Sequence, residues 1–497
     1  MVAHGSTVRE VFRFIKTACS EVVLVRMLKT AELSPDCDSV QIEYDALSHP
    51  DNGRAMNHTP ADYLATALKA EAWISRHAAK TEHGLVWGMA NEAPDVQLHT
   101  LYAGSAGIAL HYLELHQATG DARFLETGGA AGTDLIDYVH RKEYLTCSAL
   151  GGWAGYMFVL GELANATDDD AFRQAAHHCA QKLRDQASDI GAGIGWVAPM
   201  PYANLTGQKG EREIYDVAEG AAGAGLYYLY AHEQALHEHA LSWVRAIADR
   251  LIEVAKPAEG GLRWQLMEDI PWPFDTPNFA HGTAGVAYFM ARVFQTTGEQ
   301  TYLDAAIAGA GHVQAMADPI GKKAHLVPHI LNDGRPHRYY LGFCHGPAGT
   351  ARLFYLLGEL TGDEAWMQWS RGLDLGLVAS GAPEERGRGF WNNISQCCCD
   401  AGIGDHAVWM YRATGDEIYL DLAHRVAAEL LRRSDGDAET RFWPQAEHRS
   451  QPDFIQAQTG YMQGAAGVGS FLVHLATTLQ GKSVKILFPE APYGLLA

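Results

Sequence analysis

The stretch FAHGTAGVAYFMARVFQTTGEQTYLD (Phe279–Asp304) sets the frame for the whole chain. A short glycine turn, GTAG (Gly282–Gly285), opens a run that is apolar nearly all round, as a helix buried on every side would be. The polar break TTGEQ follows, with Gly298 in the place where a left-handed residue ends a helix, and a second, more amphipathic segment begins. The same plan recurs. Its turns are GSAG (Gly104–Gly107), GWAG (Gly152–Gly155), GAAG (Gly220–Gly223), GTAG, GPAG (Gly346–Gly349), CDAG (Cys399–Gly402) and GAAG (Gly464–Gly467). Successive turns lie 48 to 68 residues apart, the length of a pair of helices. Stacked helical pairs build a ring or a solenoid, so the expectation is an all-α chain of seven helical hairpins with the apolar helices inside. Between units lie glycine-aromatic stretches, GLVWGM (84–89), GIGWVAPM (193–200), GGLRWQLM (260–267) and RGFWNN (388–393), which read as small strands or hairpins at one end.

The repeat covers the chain from about residue 100 onward, so 497 residues are read as one large helical body, 56–497, preceded by an N-terminal extension, 1–55, to which no role is assigned. A helix is read over about residues 7–30 of that extension, and another from Thr59, where TPADYLATALKAEAWISRHA carries a cap and helical apolar spacing. Lys plus Arg number 38 against 59 Asp plus Glu, a net charge of −21, which disfavours nucleic acid and anionic membranes as partners. No run is long and apolar enough for a membrane span, and no secretory leader is read at the start, so a cytoplasmic location is expected. Eight cysteines in such a chain do not suggest a disulfide framework.

Against the repeat, three turns carry unusual residues. Ala280-His281 precedes the fourth turn and Cys344-His345 the fifth, while Cys397-Cys398 precedes a sixth turn that itself opens on Cys399. Cys344 and Cys397 are therefore equivalent in adjacent repeats, and Cys398 is equivalent to His281 and His345. If the inner helices all begin at one mouth, these positions converge there, and three cysteines from two neighbouring starts suit a zinc site with one open position. Single cysteines often pack as small apolar core residues. A run of three matching another repeat's Cys favours metal instead, with Cys399, Asp400 and His345 as competing ligands. Asp216 and Glu219, in YDVAEG before the third turn, are read either as helix caps or as groups that orient His281 for proton transfer.

With these motifs in this order the chain resembles the lanthionine synthetase C-like (LanC-like) family over roughly residues 60–490. The family's Asp before a glycine turn corresponds to Asp216 in YDVAEG, its AHG to His281, its Cys-x-G to Cys344, and its CHG to Cys397 and Cys398. The resemblance implies an α/α toroid with inner and outer helix rings, Zn²⁺ held by Cys344, Cys397 and Cys398, and proton transfer by His281 and Asp216. It implies a cyclase that adds Cys thiols to dehydroalanine or dehydrobutyrine in a dehydrated ribosomal peptide. No dehydratase domain fits in the chain, so a separate dehydratase would supply that peptide. Two other readings are a LanC-like enzyme that adds glutathione to dehydrated residues in proteins, and a glycosidase on a similar toroid, for which Asp216 and Glu219 on one turn are poor geometry. The chain departs from the family in three places. Cys398 stands for the usual histidine ligand, Cys399 for the turn glycine, and Tyr340 for an Arg four residues before the first Cys, with Arg338 nearby.

Three thiolates around Zn²⁺ leave a formal charge of −1, more electron-rich than a two-cysteine, one-histidine set. Cys398→His is thus expected to keep zinc and to slow thiol addition; metal content with steady-state rates checks this, and an equal or faster rate removes the charge argument.

Overall fold

The computed structural model of the protein describes residues 58–88, 98–199, 210–269, 275–331, 336–387, 389–482 and 484–492. The segment 1–55, with the helix read over about 7–30, lies outside the described residues. Fourteen helices are described: α1 Pro60–Arg76, α2 Ser105–Thr119, α3 Ala122–His140, α4 Trp153–Thr167, α5 Asp170–Asp185, α6 Ala221–Glu233, α7 Ala240–Val254, α8 Thr283–Thr297, α9 Gln300–Ala315, α10 Pro347–Thr361, α11 Glu364–Ala379, α12 Asp400–Thr414, α13 Glu417–Arg433 and α14 Ala465–Leu479. The helices that open on a glycine turn are the inner ring. Each packs on the next, α2 on α4, then α6, α8, α10, α12 and α14, and α14 returns to α2. Every residue of α6 from Ala221 to Ala231 is buried, whereas its outer partner α7 buries one stripe, Ala240, Val244, Ile247, Ala248 and Leu251. The chain is an all-α toroid of seven inner and seven outer helices.

The seventh hairpin departs from the repeating plan. Among the described residues no outer helix follows α14; its outer partner is α1, from the start of the described chain. After α14 the chain runs beneath the ring instead, where Arg292 and Arg352 of the inner helices donate to the carbonyls of Pro489 (2.9 Å) and Glu490 (3.2 Å).

Local chemistry explains the hairpins. Gly120, Gly298, Gly362 and Gly415 end inner helices at φ 65–74°, the left-handed region that glycine enters without strain. Asp121, Asp363 and Asp416 then accept backbone N–H groups at the next helix start. The glycine-aromatic stretches supply a second device. Trp87, Trp196, Trp264 and Trp443 are buried, and each indole N–H donates to a carbonyl thirteen residues earlier, on Ile74, Leu183, Leu251 and Leu430. Those carbonyls lie in the last turns of outer helices, where helical partners run out. Seven two-stranded antiparallel hairpins surround these tryptophans and neighbouring turns. Three of the four glycine-aromatic stretches contribute strands to them; the fourth forms only a bridge between Gly387 and Phe390.

The seven turns are tied together at the mouth. Cys344 N–H donates to the Cys397 carbonyl (3.0 Å), Cys397 to Met462 (3.1 Å), Met462 to Tyr102 (2.9 Å) and Tyr102 to Leu150 (3.1 Å). Ala149 donates to Ala218 (3.1 Å), Ala218 to Ala280 (3.1 Å), and Ala280 back to Cys344 (2.9 Å). The circuit thus links the residue two places before each turn, except that at the second turn Leu150 accepts and its neighbour Ala149 donates. The turn glycines let the backbone fold this closely: a Cβ on Gly285 would lie 2.0 Å from the Phe279 carbonyl oxygen.

Farther inside, a buried ion triplet joins α2, α12 and α14. His474 donates Nδ1–H to Asp405 Oδ1 (2.6 Å), and its Nε2 lies 3.3 Å from Glu114 Oε1. Burial works against a charged imidazole, but the Asp405 and Glu114 carboxylates outweigh it and raise His474 to about 10. Below about pH 6.5 folded and unfolded chains both carry this proton, and its stabilisation is fully present. As pH rises the unfolded chain loses it first, so the contribution falls between about 6.5 and about 10. His474→Gln is expected to cost on the order of 3–5 kcal/mol, the scale for removing one partner of a buried pair. It should also flatten the stability loss across that window, checked by urea unfolding at stepped pH.

Candidate functional site

The hydrogen-bonded circuit sets Cys344 and Cys397 side by side, and Cys398 follows on the same turn. The three sulfurs lie within 4.8 Å of one another, with Cys344 Sγ and Cys398 Sγ 3.8 Å apart, and all three residues are no more than 6% exposed. Among the described residues, this is the only group of three or more His, Cys, Asp or Glu side chains close enough to share an ion. Ser395 Oγ accepts the Cys398 N–H (3.0 Å), and the Gln463 side-chain amide donates to Cys398 Sγ (3.8 Å). The Cys344 and Cys397 thiols, which donate to it, pull the Cys398 thiol well below its ordinary range against the opposing effect of burial.

The competing ligands are engaged elsewhere. Cys399 caps the start of α12, fully buried, and burial with the neighbouring Asp400 pushes its thiol up. Asp400 accepts from both Arg386 and Arg433 at 2.7 Å. His345 turns toward two other imidazoles, with ring centres 4.3 Å from His329 and 5.3 Å from His281.

Asp216 and His281 form a pair across two repeats. His281 donates Nδ1–H to Asp216 Oδ2 at 2.7 Å, and Asp216 Oδ1 accepts the Glu219 N–H at 2.8 Å. Asp216 is fully buried, while the His281 side chain is 18% exposed. The carboxylate holds the proton on Nδ1 and leaves Nε2 to face a ligand. Burial depresses the His281 imidazole, but the hydrogen bond and charge of Asp216 override it, aided by Glu219 and Cys398, and the net shift is upward. Glu219, enclosed and beside the Asp216 carboxylate, is pushed up to about 7.

Some of this surround was not read from the sequence. His329 stacks on Tyr340 at 4.1 Å, and burial with the nearby Arg338 and Arg449 charges drives its imidazole down to about 3. His345 is lowered too, so both rings are neutral. His329 Nε2 and His345 Nδ1 are buried without a hydrogen-bond partner. Arg449 donates Nε–H to the Tyr340 phenol oxygen at 3.1 Å. Nothing in the repeat spacing marks Arg449, because it sits in a loop between two strands, Pro444–Ala446 and Ile455–Ala457.

With this geometry in hand, comparison with known proteins is informative. The sequence pattern of lanthionine synthetase C-like proteins matches residues 95–310, a span that includes Asp216 and His281 and ends before Cys344. A zebrafish (Danio rerio) protein named glutathione S-transferase LANCL1 is 24% identical, over 61% of this chain and 78% of that protein. The solved structure of nisin cyclase superposes with a TM-score of 0.55 at 15% identity, covering 81% of this chain and 91% of that one. Over residues 95–310 the chain is similar to the lanthionine synthetase C-like family. In this LanC-like chain the toroid is shared with nisin cyclase, and the residues at its mouth are its own set of three cysteines, one His–Asp pair and a neutral imidazole wall.

Asp216→Asn removes the anion that raises His281 and leaves burial to dominate. The His281 imidazole is expected to titrate above 6.5 in the unaltered protein and below it in the variant, measured by NMR of the ring nitrogens.

Proposed function

We propose that this protein is a zinc-dependent enzyme that adds a cysteine thiol to dehydroalanine or dehydrobutyrine in a dehydrated peptide, forming a thioether ring. The observation that carries this reading is the convergence of three cysteine sulfurs at the mouth that also holds the Asp216–His281 pair. The donor set fits zinc. Thiolate sulfurs are soft ligands, and vertices about 2.3 Å from a common tetrahedral centre lie about 3.8 Å apart, the separation of Cys344 and Cys398. Cys344, Cys397 and Cys398 would hold the ion and leave its fourth position open. When bound, zinc lowers the pKa of an incoming thiol so that it is a thiolate at neutral pH.

The remaining chemistry belongs to the chain. A sulfur–carbon bond forms at Cβ of the dehydro residue while its Cα–Cβ π bond breaks. The electron pair moves onto Cα and the adjoining carbonyl oxygen. His281, protonated and aimed by Asp216, delivers the proton that ends at Cα. The thiol gives up one proton and Cα gains one, so the addition is balanced without any redox partner. A peptide carrying both thiol and dehydro residue reacts within one molecule, which favours ring closure over capture of a free thiol.

A second reading differs only in the thiol: glutathione, added to a dehydrated residue of a protein. The name of the zebrafish relative favours it. Both readings suit a cytoplasmic setting, where thiols stay reduced, and the first needs a separate dehydratase upstream. The glycosidase reading loses support, since Asp216 is committed to His281 and to the Glu219 backbone rather than facing another carboxylate across a cleft.

Purified protein is expected to hold one zinc per chain, and Cys344→Ala, Cys397→Ala and Cys398→Ala each to lose it, measured by elemental analysis. Incubation with a dehydroalanine peptide that carries its own Cys should give a cyclic product of unchanged mass that resists alkylation. His281→Ala should slow that step by about 10²–10⁴-fold, the usual range for a lost general acid. A glutathione adduct in place of the ring would select the second reading; neither product would reject both.

A further inference from the structure

The addition places negative charge on the substrate's carbonyl oxygen, and the mouth is rich in groups of the same sign: three thiols, Asp216 and Glu219. A transition state of this kind needs a preorganised donor at that oxygen. His281 is committed to Asp216 and to the proton at Cα. Arg386 and Arg433 are committed to Asp400. Arg449 is not so engaged: it spends its Nε–H on the Tyr340 hydroxyl, and among the described residues no carboxylate pairs with its guanidinium.

Its surroundings place it at the site. The Tyr340 ring lies 5.8 Å from His345, the residue that follows Cys344, and 4.1 Å from His329. The two imidazoles beside Tyr340 carry the unpartnered nitrogens His329 Nε2 and His345 Nδ1. The guanidinium, held by the phenol, gives this wall a donor for an oxygen that gains charge.

We infer that Arg449, aimed by Tyr340, is the oxyanion-binding residue of this site, and that its remaining N–H groups take the carbonyl oxygen of the dehydro residue as the thiol adds. The inference rests on the thiol-addition reading above. Because the charge appears only as the bond forms, the interaction belongs to the transition state more than to substrate binding.

The test uses the full chain with its metal and the Cys-bearing dehydroalanine peptide. Arg449→Ala is expected to lower kcat by about 10²–10³-fold, the scale for one oxyanion donor, with KM within about threefold, and with zinc content and melting temperature unchanged. Guanidinium added to the buffer should restore part of the rate in Arg449→Ala. Arg449→Lys should fall between, and Tyr340→Phe should lose less than Arg449→Ala. Arg338→Ala, the other guanidinium beside His329, should keep its rate. An unaltered kcat in Arg449→Ala, a loss confined to KM, or a loss in Arg338→Ala in its place overturns this inference and leaves the functional reading standing. An unsubstituted protein that adds no thiol to any dehydro peptide overturns the functional reading and this inference with it.

Discussion

Seven backbone hydrogen bonds, one between each neighbouring pair of turns, close the mouth of the toroid into a circuit. Everything at the site depends on this circuit. It uses main-chain groups that every residue carries, so side chains two places before each turn are free to vary. Tyr102, Leu150, Ala218, Ala280, Cys344, Cys397 and Met462 occupy that one position around the ring. Two adjacent members of the circuit are cysteines, and the bond between them, Cys344 N–H to Cys397 carbonyl, is what brings sulfurs 53 residues apart to one place. The repeat is a scaffold of constant spacing, and the chemistry is written in its exceptions.

The scaffold stays closed because each helix end is satisfied locally and the ring is locked across its seam. Four buried tryptophans take up carbonyls at the ends of outer helices. The seam between last and first inner helices carries the Glu114–His474 contact, with both side chains buried. A buried charge set of this kind stabilises little compared with a well-packed apolar one, yet it penalises any mismatch of partners. At the one joint where the helices come from opposite ends of the sequence, that penalty has value. The same joint recruits α1 as the outer partner of α14, so the toroid closes on itself rather than continuing as a solenoid.

Much of this was legible in the sequence for physical reasons. The glycine turns were visible because backbone packs against backbone there, and no other residue fits at positions such as Gly285. The left-handed ends at Gly120, Gly298, Gly362 and Gly415 were visible because a TG step after an apolar run has few other uses. The cysteine trio was legible as a set once the turns were aligned, since equivalence in a repeat predicts proximity. What alignment does not carry is side-chain direction. It left Cys399, Asp400 and His345 as competing ligands, and only three dimensions show Asp400 held between two arginines. Nor could it assign α1 to α14, because an amphipathic stripe states that a partner exists and not which one. Arg449 was illegible for a related reason: a loop's reach depends on the hairpin beneath it, and the guanidinium meets Tyr340 from 109 residues away.

The arrangement also moves two proton affinities in opposite directions. An ordinary cysteine holds its proton more tightly than an ordinary histidine. At this mouth Cys398 is pushed down by its two sulfur neighbours, while His281 is pushed up by the Asp216 carboxylate. On the thiol-addition reading both shifts help: Cys398 more readily becomes the thiolate that a metal takes, and the imidazole keeps its proton for the carbon that accepts it. Asp216 sits before the third turn and His281 before the fourth, whereas the cysteines sit before the fifth and sixth. The carboxylate therefore acts first on the imidazole it touches, at the next turn of the ring toward the cysteines.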